Sequence, residues 1–451
     1  MKIVVIGLGK IGLTLTEYLS KEGNDVTVVD TDPAVVESTV NSFDVMGVTG
    51  NGVNYSVQLE AGVKTADIMI AMTSTDEMNM LCCLVAKKVG VKHTIARIRD
   101  PEYSSQFMFM LDEMGLDMVI NPEMESAREI ARSLRFPAAI KIDTFAKGRV
   151  DLVEMKISQG SVLDGIKVLE LQKKLNVKLL VCAVLRGDEV FIPSGNFTLM
   201  AGDRIHFTAS HSELVSFFKT VDKERMRTKR VFLIGGGRIA YYLADQLLEI
   251  GMSVKIVEKD KKRALELSEL LPKADIVYGD ATDQDLLAEE NFDSADTCVA
   301  LTGVDEENMI LSMYANQRQI KKVITKVNKP SLVGILKDVG LDTVISPKQI
   351  TTNMILSYVR AMNNSGASSI KTLYKLVDDR VEALEFYVSE NSDVTDKPLR
   401  ELSLKKNMLI SCIIRQNAII IPGGNDSIKV GDSVVVVTAN ENLSVLDDIL
   451  A

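Results

Sequence analysis

The chain has 451 residues and a formal net charge of −10, with 52 Lys and Arg against 62 Asp and Glu. Its length predicts three or four domains of roughly 100–200 residues each, and its acidic balance argues against nucleic acid, whose recognition needs a basic face to displace counterions. No apolar run approaches the roughly 18 residues of a membrane helix, so direct membrane insertion is not expected and any work at a membrane must pass through another protein.

The first element is an apolar strand, Ile3–Ile6, followed by Gly7-Leu8-Gly9-Lys10-Ile11-Gly12 and a helical pattern. Four apolar residues before the glycines are too few for a signal peptide. Further apolar runs follow at Val26–Val29, Asp44–Val48, Ile68–Met72, Thr94–Ile98 and Met118–Ile120, with helical segments between them. Unbroken apolar strands alternating with helices indicate a parallel sheet covered on both faces. Six such strands suit a doubly wound, Rossmann-like domain over residues 1–137. The texture changes near residue 140. Residues 140–222 read as a small α+β unit with a strand over Val177–Leu185, turns at Gly187-Asp188 and Gly202-Asp203, and a closing helix over Ser212–Val221. The basic stretch Lys223–Arg230 reads as a solvated linker.

The pattern then starts again. Val231–Ile234, Val254–Val257, Ile276–Tyr278, Cys298–Leu301, Val323–Val327 and Thr343–Ile345 predict a second Rossmann-like domain over 229–364. A second small α+β unit is expected over 370–451, with a strand at Ser433–Thr438, a turn at Gly431-Asp432 and a closing helix over Glu441–Leu450. The correspondence is literal in places. AMTSTDEMNM (Ala71–Met80) returns as ALTGVDEENM (Ala300–Met309), 229 residues on; GLDMVINP (Gly115–Pro122) returns as GLDTVISP (Gly340–Pro347), 225 on; IPSGNFTLMAGD (Ile192–Asp203) returns as IPGGNDSIKVGD (Ile421–Asp432), again 229 on. Equal order and nearly equal offset identify a tandem duplication.

A GxGxxG motif gains meaning from its setting: a strand before it, a helix after it, and an acid about 20 residues on. Asp30 ends the second strand, 18 residues after Gly12. Gly7 permits the tight turn, Gly9 lets backbone approach phosphates, and Gly12 lets helix and strand pack closely. The helix N-terminus offers unpaired N–H groups to phosphate. Asp30 can accept both ribose hydroxyls of an adenosine and disfavours a 2′-phosphate, so NAD(H) fits, and ATP or ADP satisfies the same acid. The second copy is Gly235-Gly236-Gly237-Arg238-Ile239-Ala240, with Glu258 as its acid. Ligands of doubly wound sheets lie beyond the strands' C-terminal ends. That adds Asn51 and Asp280 after strand three, Thr73, Ser74, Thr302 and Gly303 after strand four, and Arg97 and Lys326 near the end of strand five. Arg97 suits either a phosphate contact or a surface ion pair, and Lys10 and Arg238, inside the glycine loops, are better placed for phosphate. Asp76, Glu77, Asp305 and Glu306 read as acids complementing a helix dipole.

Signals for chemistry are sparse. Of the three histidines, His93, His206 and His211, none recurs in the other half, and no nucleophile or metal signature appears. The five cysteines (Cys82, Cys83, Cys182, Cys298, Cys412) lack metal spacing and suit a reducing cytoplasm. No catalytic or metal residue is assigned. An NAD-dependent oxidoreductase is the alternative, since Lys, Tyr or Asp can also serve as acids.

Together the GLGKIG start, Asp30, TSTDEMNM, IARIRDPEY (Ile95–Tyr103) and GLDMVINPE (Gly115–Glu123) resemble the regulator-of-potassium-conductance (RCK) domains, and the small units resemble the RCK C-terminal subdomain. The double-length arrangement is similar to that of the regulatory subunits of Trk potassium uptake systems. The resemblance implies a cytoplasmic, homotetrameric gating ring on the inner face of the membrane, beneath a channel subunit of the TrkH type. It also implies NAD(H) and adenine nucleotide contacts at Gly7, Leu8, Gly9, Lys10, Ile11, Asp30, Thr73, Ser74 and Arg97. The second set is Gly235, Gly236, Gly237, Arg238, Ile239, Glu258, Thr302, Gly303 and Lys326. Ala240, Glu258 and Lys326 depart from the first copy, so the second ligand is expected to differ or to bind more weakly.

Overall fold

The computed structural model describes residues 1–104, 114–136, 138–146, 149–221, 229–329, 332–341, 343–363, 368–377, 380–390, 392–416, 418–439 and 443–451. Most of the basic stretch that follows Val221 lies outside these residues.

Strands β1 (Lys2–Ile6), β2 (Asp25–Asp30), β3 (Met46–Thr49), β4 (Ile68–Ala71), β5 (His93–Arg97) and β6 (Met118–Ile120) form one sheet in the order β3-β2-β1-β4-β5-β6. Every pairing is parallel. Beyond the exposed Lys2 the central strands β1 and β4 are apolar because helices cover both faces; β4 is fully buried along its length. The third strand begins at Met46, two residues later than expected: Asp44 precedes it, and only Val48 of the strand is buried, as suits an edge. The strand order reverses between β1 and β4, so a crevice opens beyond their C-terminal ends.

The first half closes with its small unit: β7 (Ala139–Phe145), β8 (Val150–Lys156), β9 (Leu179–Arg186), β10 (Glu189–Phe191) and β11 (Arg204–Ser210) make an antiparallel sheet in the order β10-β9-β11-β8-β7. Then β12 (Arg230–Ile234), β13 (Ser253–Glu258), β14 (Asp275–Tyr278), β15 (Thr297–Ala300), β16 (Lys322–Lys326) and β17 (Val344–Ile345) build a second parallel sheet, β14-β13-β12-β15-β16-β17. Finally β18 (Ser368–Leu376), β19 (Val381–Val388), β20 (Met408–Arg415), β21 (Ala418–Ile420) and β22 (Ser433–Thr438) form a sheet ordered as the first small one, read from the other edge. The fold is thus two Rossmann-like parallel sheets, each with a small α+β partner.

The closing helices differ between the copies. His211–Val221 is a helix. The helix expected over Glu441–Leu450 is instead a short 3-10 turn, Leu446–Ile449. Two backbone amides, those of Ser444 and Val445, donate to the Asp448 carboxylate at 2.8 and 2.9 Å, so this side chain caps the start of the turn. Residues 440–442 lie outside the described residues.

By contacts the chain divides into two units, Met1–Ser126 with Ser346–Leu356, and Ala127–Ile345 with Ser357–Ala451. Helices Pro122–Arg135 and Pro347–Asn363, which follow the sixth strands, each belong partly to one unit and partly to the other. Within the second unit the two small sheets share a core of Phe145, Leu152, Cys182, Leu376, Ala383, Cys412 and Val435. The contacts across it are reciprocal: Arg149 donates to the Gln416 carbonyl at 2.8 Å, and Arg380 donates to the Asp188 carbonyl at 2.6 Å. The duplicated units have made an isologous interface inside one chain. Among the described residues, no helix is long and apolar enough to cross a membrane.

Candidate functional site

At the end of β1 the chain must turn at once into a helix. Gly7 does so at φ +96°, a left-handed conformation open to glycine, and a Cβ there would sit 2.7 Å from the Met72 carbonyl carbon. A Cβ on Gly12 would overlap the Gly7 carbonyl oxygen. Gly9 is different. It is the N-cap of helix Lys10–Lys21, carries no side-chain cap, and a Cβ there would meet nothing within 4 Å. The helix's amide end therefore faces open space, which is what a phosphate needs.

Asp30 is tied into this loop. Its Oδ2 accepts from Leu8 N at 2.6 Å and its Oδ1 from Asp32 N at 3.0 Å, and Asp32 in turn caps helix Pro33–Ser42. The carboxylate thus fixes the glycine loop to the exit of β2, and with about four acceptor positions it keeps capacity for ribose hydroxyls. Lys10, the first residue of its helix, is exposed; Leu8 is buried beneath the loop.

The loop after β4 is organised by a residue that the motif reading passed over. Asn79, fully buried, accepts from Thr73 N at 2.7 Å and Thr73 Oγ1 at 2.8 Å, and donates to the Arg97 carbonyl at 2.8 Å. The Arg97 guanidinium donates back to the Thr73 carbonyl. Arg99, also passed over, donates to the Ser74 carbonyl at 2.7 Å. Thr73, Ser74 and Arg97 are therefore one assembly, and it abuts the glycine loop, because the Gly7 Cβ position lies 2.8 Å from Thr73 N. Of the two roles weighed for Arg97, the bond shown is to backbone.

Asp76 and Asp305 depart from the helix-dipole role expected of them. They are buried, and a helix dipole is not their chief partner. Asp76 accepts from the amides of Arg99 and Asp100 at 2.8 and 2.9 Å, and Asp305 from those of Asn328 and Lys329 at 2.9 Å each. Each pins the loop after strand five. The signal was available: both acids sit at the same place in the repeated segment, three residues before the asparagine. Glu77 bonds Tyr103 Oη at 2.9 Å, and Glu306 pairs with Lys329 at 2.7 Å.

The second site reproduces the geometry. Gly235 turns at φ +94° and Gly237 is an open N-cap. Glu258 accepts from Gly236 N at 2.5 Å and Asp260 N at 2.7 Å. Thr302 N bonds Asn308 at 2.8 Å, Asn308 bonds the Lys326 carbonyl at 3.0 Å, and Lys326 Nζ returns to the Thr302 carbonyl at 2.8 Å. A Cβ on Gly303 would meet nothing. Arg238 is exposed and Ile239 buried. Asn51 and Asp280 stand apart from these assemblies in their bonding. Asn51 accepts from Val53 N at 3.0 Å, and Asp280 from Thr282 N at 2.9 Å, each shaping its own turn. The Thr282 amide and hydroxyl hold the Asp280 carboxyl below its usual range.

The histidines lie elsewhere. His93 begins β5, at the opposite end of that strand from Arg97, and pairs with Asp117 at 3.5 Å. His206 and His211 belong to the first small unit. All five cysteines are free and buried, and burial pushes each thiol up. Among the described residues no cluster of His, Cys, Asp and Glu has metal-binding geometry.

Known proteins share this plan. The TrkA-N domain model matches residues 3–122 and 231–347, and the TrkA-C domain model matches 152–221 and 383–451. A Trk system potassium uptake protein TrkA homolog of Archaeoglobus fulgidus is 33% identical over 449 residues, covering 100% of both chains. The Trk system potassium uptake protein TrkA of Vibrio alginolyticus is 31% identical, covering 98% of this chain and 96% of that one. Among solved structures, the GsuK channel superposes with a TM-score of 0.66 at 17% identity, covering 98% of this chain and 77% of that one. A GsuK channel bound to NAD gives a TM-score of 0.65 at the same identity, covering 99% and 78%. These two establish likeness of fold.

Proposed function

This chain belongs to the TrkA family, carrying the TrkA-N and TrkA-C pair twice, and from that membership we propose that it is the cytoplasmic regulatory subunit of a Trk-type potassium uptake system whose two glycine-loop sites bind NAD(H) or adenine nucleotide. The observation that carries the nucleotide reading is the doubled clamp: an acid at the end of the second strand bonded to the glycine loop, beside a helix N-terminus facing open space. Four expected domains, 1–137, 140–222, 229–364 and 370–451, give the binding and pairing parts their separate roles.

Binding without turnover fits the surroundings. The acids nearest the glycine loops bond backbone amides, and the histidines lie away from the C-terminal ends of the parallel strands. A ligand shifts a conformational equilibrium only by binding its states unequally. Helices Pro122–Arg135 and Pro347–Asn363 straddle the two units and are the levers for such a shift. The partner is an integral-membrane channel subunit of the TrkH type, and the working form is a homotetrameric ring at the membrane's inner face.

Calorimetry of the full chain with NADH, NAD and ATP tests the sites. Asp30→Ala should weaken binding at the first site, and Glu258→Ala at the second, by about ten- to hundredfold, the worth of charge-assisted bonds to ribose. Unchanged affinity for every nucleotide in both variants would refute the assignment. Potassium flux through membranes containing the partner, measured as nucleotide is varied, tests the regulatory role; flux indifferent to nucleotide and to this chain would end it.

A further inference from the structure

The two glycine-loop sites differ most in charge where the second strand hands over to its helix. In the first, Asp30 is followed by Thr31, and Val35 lies one turn further on. In the second, Glu258 is followed by Lys259, and Arg263 holds the place of Val35. Two neutral side chains have become two cations.

Arg263 is built into the loop. Its Nε donates to the Gly236 carbonyl at 2.8 Å, and its Nη1 pairs with Glu266 at 2.8 Å. The Gly236 amide donates to Glu258, so guanidinium, loop and acid form one chain of hydrogen bonds. Helix Lys261–Leu270 is drawn close to make this possible: a Cβ on Gly236 would lie 2.5 Å from Leu267 Cδ1 and 3.0 Å from Glu258 Oε2. The first loop has Leu8 there instead. Lys259 lies 3.9 Å from Glu307 and also acts on Asp280 electrostatically, with its side chain 62% exposed.

We propose that the second glycine-loop site accepts an adenine dinucleotide with a phosphate on the ribose 2′ oxygen, NADP(H), with Lys259 and Arg263 as its phosphate ligands, and that the first site rejects it. This rests on reading both loops as dinucleotide sites. The acid that ends the second strand meets the ribose hydroxyls, so a 2′-phosphate arrives beside a carboxylate. An acid alone repels it. Cations flanking the acid reverse that preference, and an arginine is the usual means of accommodating this phosphate. Both acids have their oxygens on backbone amides, so the flanking cations make the difference. Arg263 supplies planar donors held in place, and Lys259 a mobile point charge whose loose pair with Glu307 is readily exchanged for phosphate. Around Asp30 the matching residues, Thr31 and Val35, carry no charge to offset the repulsion.

Titrating the full chain with NADPH and with NADH decides the matter. The wild type is expected to bind one NADPH per chain. Combining Lys259→Thr with Arg263→Val, which writes the first site's residues into the second, should weaken NADPH about a hundredfold. NADH should still bind at the second site and lose less affinity than NADPH, showing that the loop still folds. The reciprocal pair, Thr31→Lys with Val35→Arg, should raise the count to two NADPH per chain. If the wild type binds NADH but not NADPH, or if the double variant binds NADPH as the wild type does, the proposal is wrong while the dinucleotide reading stands. Failure of NADH at both loops removes that reading, and the proposal with it.

Discussion

The two parallel-sheet domains share strand order, loop plan and acid, yet they solve one packing problem differently. At the third glycine position the first domain has Gly12 and the second has Ala240. A methyl group on Gly12 would overlap the Gly7 carbonyl, whereas the Ala240 methyl is fully buried without displacing the loop. The spacing of the neighbouring strand explains this. The Cβ position of Gly7 lies 2.7 Å from the Met72 carbonyl carbon, but that of Gly235 lies 3.1 Å from the equivalent atom of Leu301. The second loop stands slightly further from its fourth strand and leaves room below. Glycine at that position is therefore a matter of loop height in each copy, and its loss does not by itself signal a lost ligand.

The largest expected effect breaks this comparison if it fails. Gly12→Ala should cost about 3 kcal/mol, the upper part of the range for overpacking against unyielding backbone, and should weaken nucleotide binding at the first site. Ala240→Gly should cost only about 1–2 kcal/mol, from backbone freedom and a lost buried methyl. Chemical denaturation of both variants measures this. Equal costs would mean that the two loops stand at the same height.

A second pair of substitutions tests where the domains agree. Asp76→Ala and Asp305→Ala each strand two backbone amides in the loop after strand five, and each should cost about 2 kcal/mol. Arg99 makes the first domain more sensitive: its guanidinium approaches Asp76 Oδ1 at 3.6 Å and would be left without that charge, while Asn328 at the matching place is a neutral donor to Asp305. A loss at Asp305 that exceeds the loss at Asp76 would overturn that ranking.

These residues mark the limit of what the sequence discloses. Strands buried on both faces announce themselves by apolar runs, so β1, β4, β12 and β15 were legible to within a residue or two. The glycine loops and their acids were legible because their backbone demands are unusual. Asn79, Asn308 and Arg99 were not, since a polar residue within a helix or loop gives no hint of the carbonyl or amide it will meet from a strand some 20 residues away. Asp76 was visible but misjudged, because an acid in a first helical turn has an adequate local explanation. The 3-10 turn Leu446–Ile449 escaped for a similar reason: the apolar spacing there suits a helix, and nothing in it announces that the Asp448 carboxylate takes the amides of Ser444 and Val445 and begins the turn only there.

The small units give the smallest and sharpest contrast. Both hold a bidentate pair with a buried carboxylate, Arg186 with Asp203 and Arg415 with Asp432, at 2.7–2.9 Å. Only the first has a histidine in its central strand. His206 pairs with Glu154 of β8 and Ala183 of β9; Val435 takes that place in β22, opposite Glu385 and Cys412. His206 is 2% exposed, and its Nδ1 has no hydrogen-bond partner among the described residues. Burial lowers its pKa below 6.5; Glu154 and Asp143 pull it up, and Lys141 and Arg204 push it down. The folded state therefore takes up the proton less readily than the unfolded chain. Its contribution to stability is whole above about pH 6.5 and is lost as pH falls below that value. Asp151, raised by burial, acts in the opposite sense, and the interval from pH 7.5 to 5.5 is where the share of His206 is read, by difference from its variant. His206→Val, which writes the second unit's residue into the first, should flatten the decline across that interval while changing stability at pH 8 by about 1 kcal/mol or less. Unfolding curves that keep the wild-type slope in the variant would place the proton uptake elsewhere and leave the two small units alike in their response to acid.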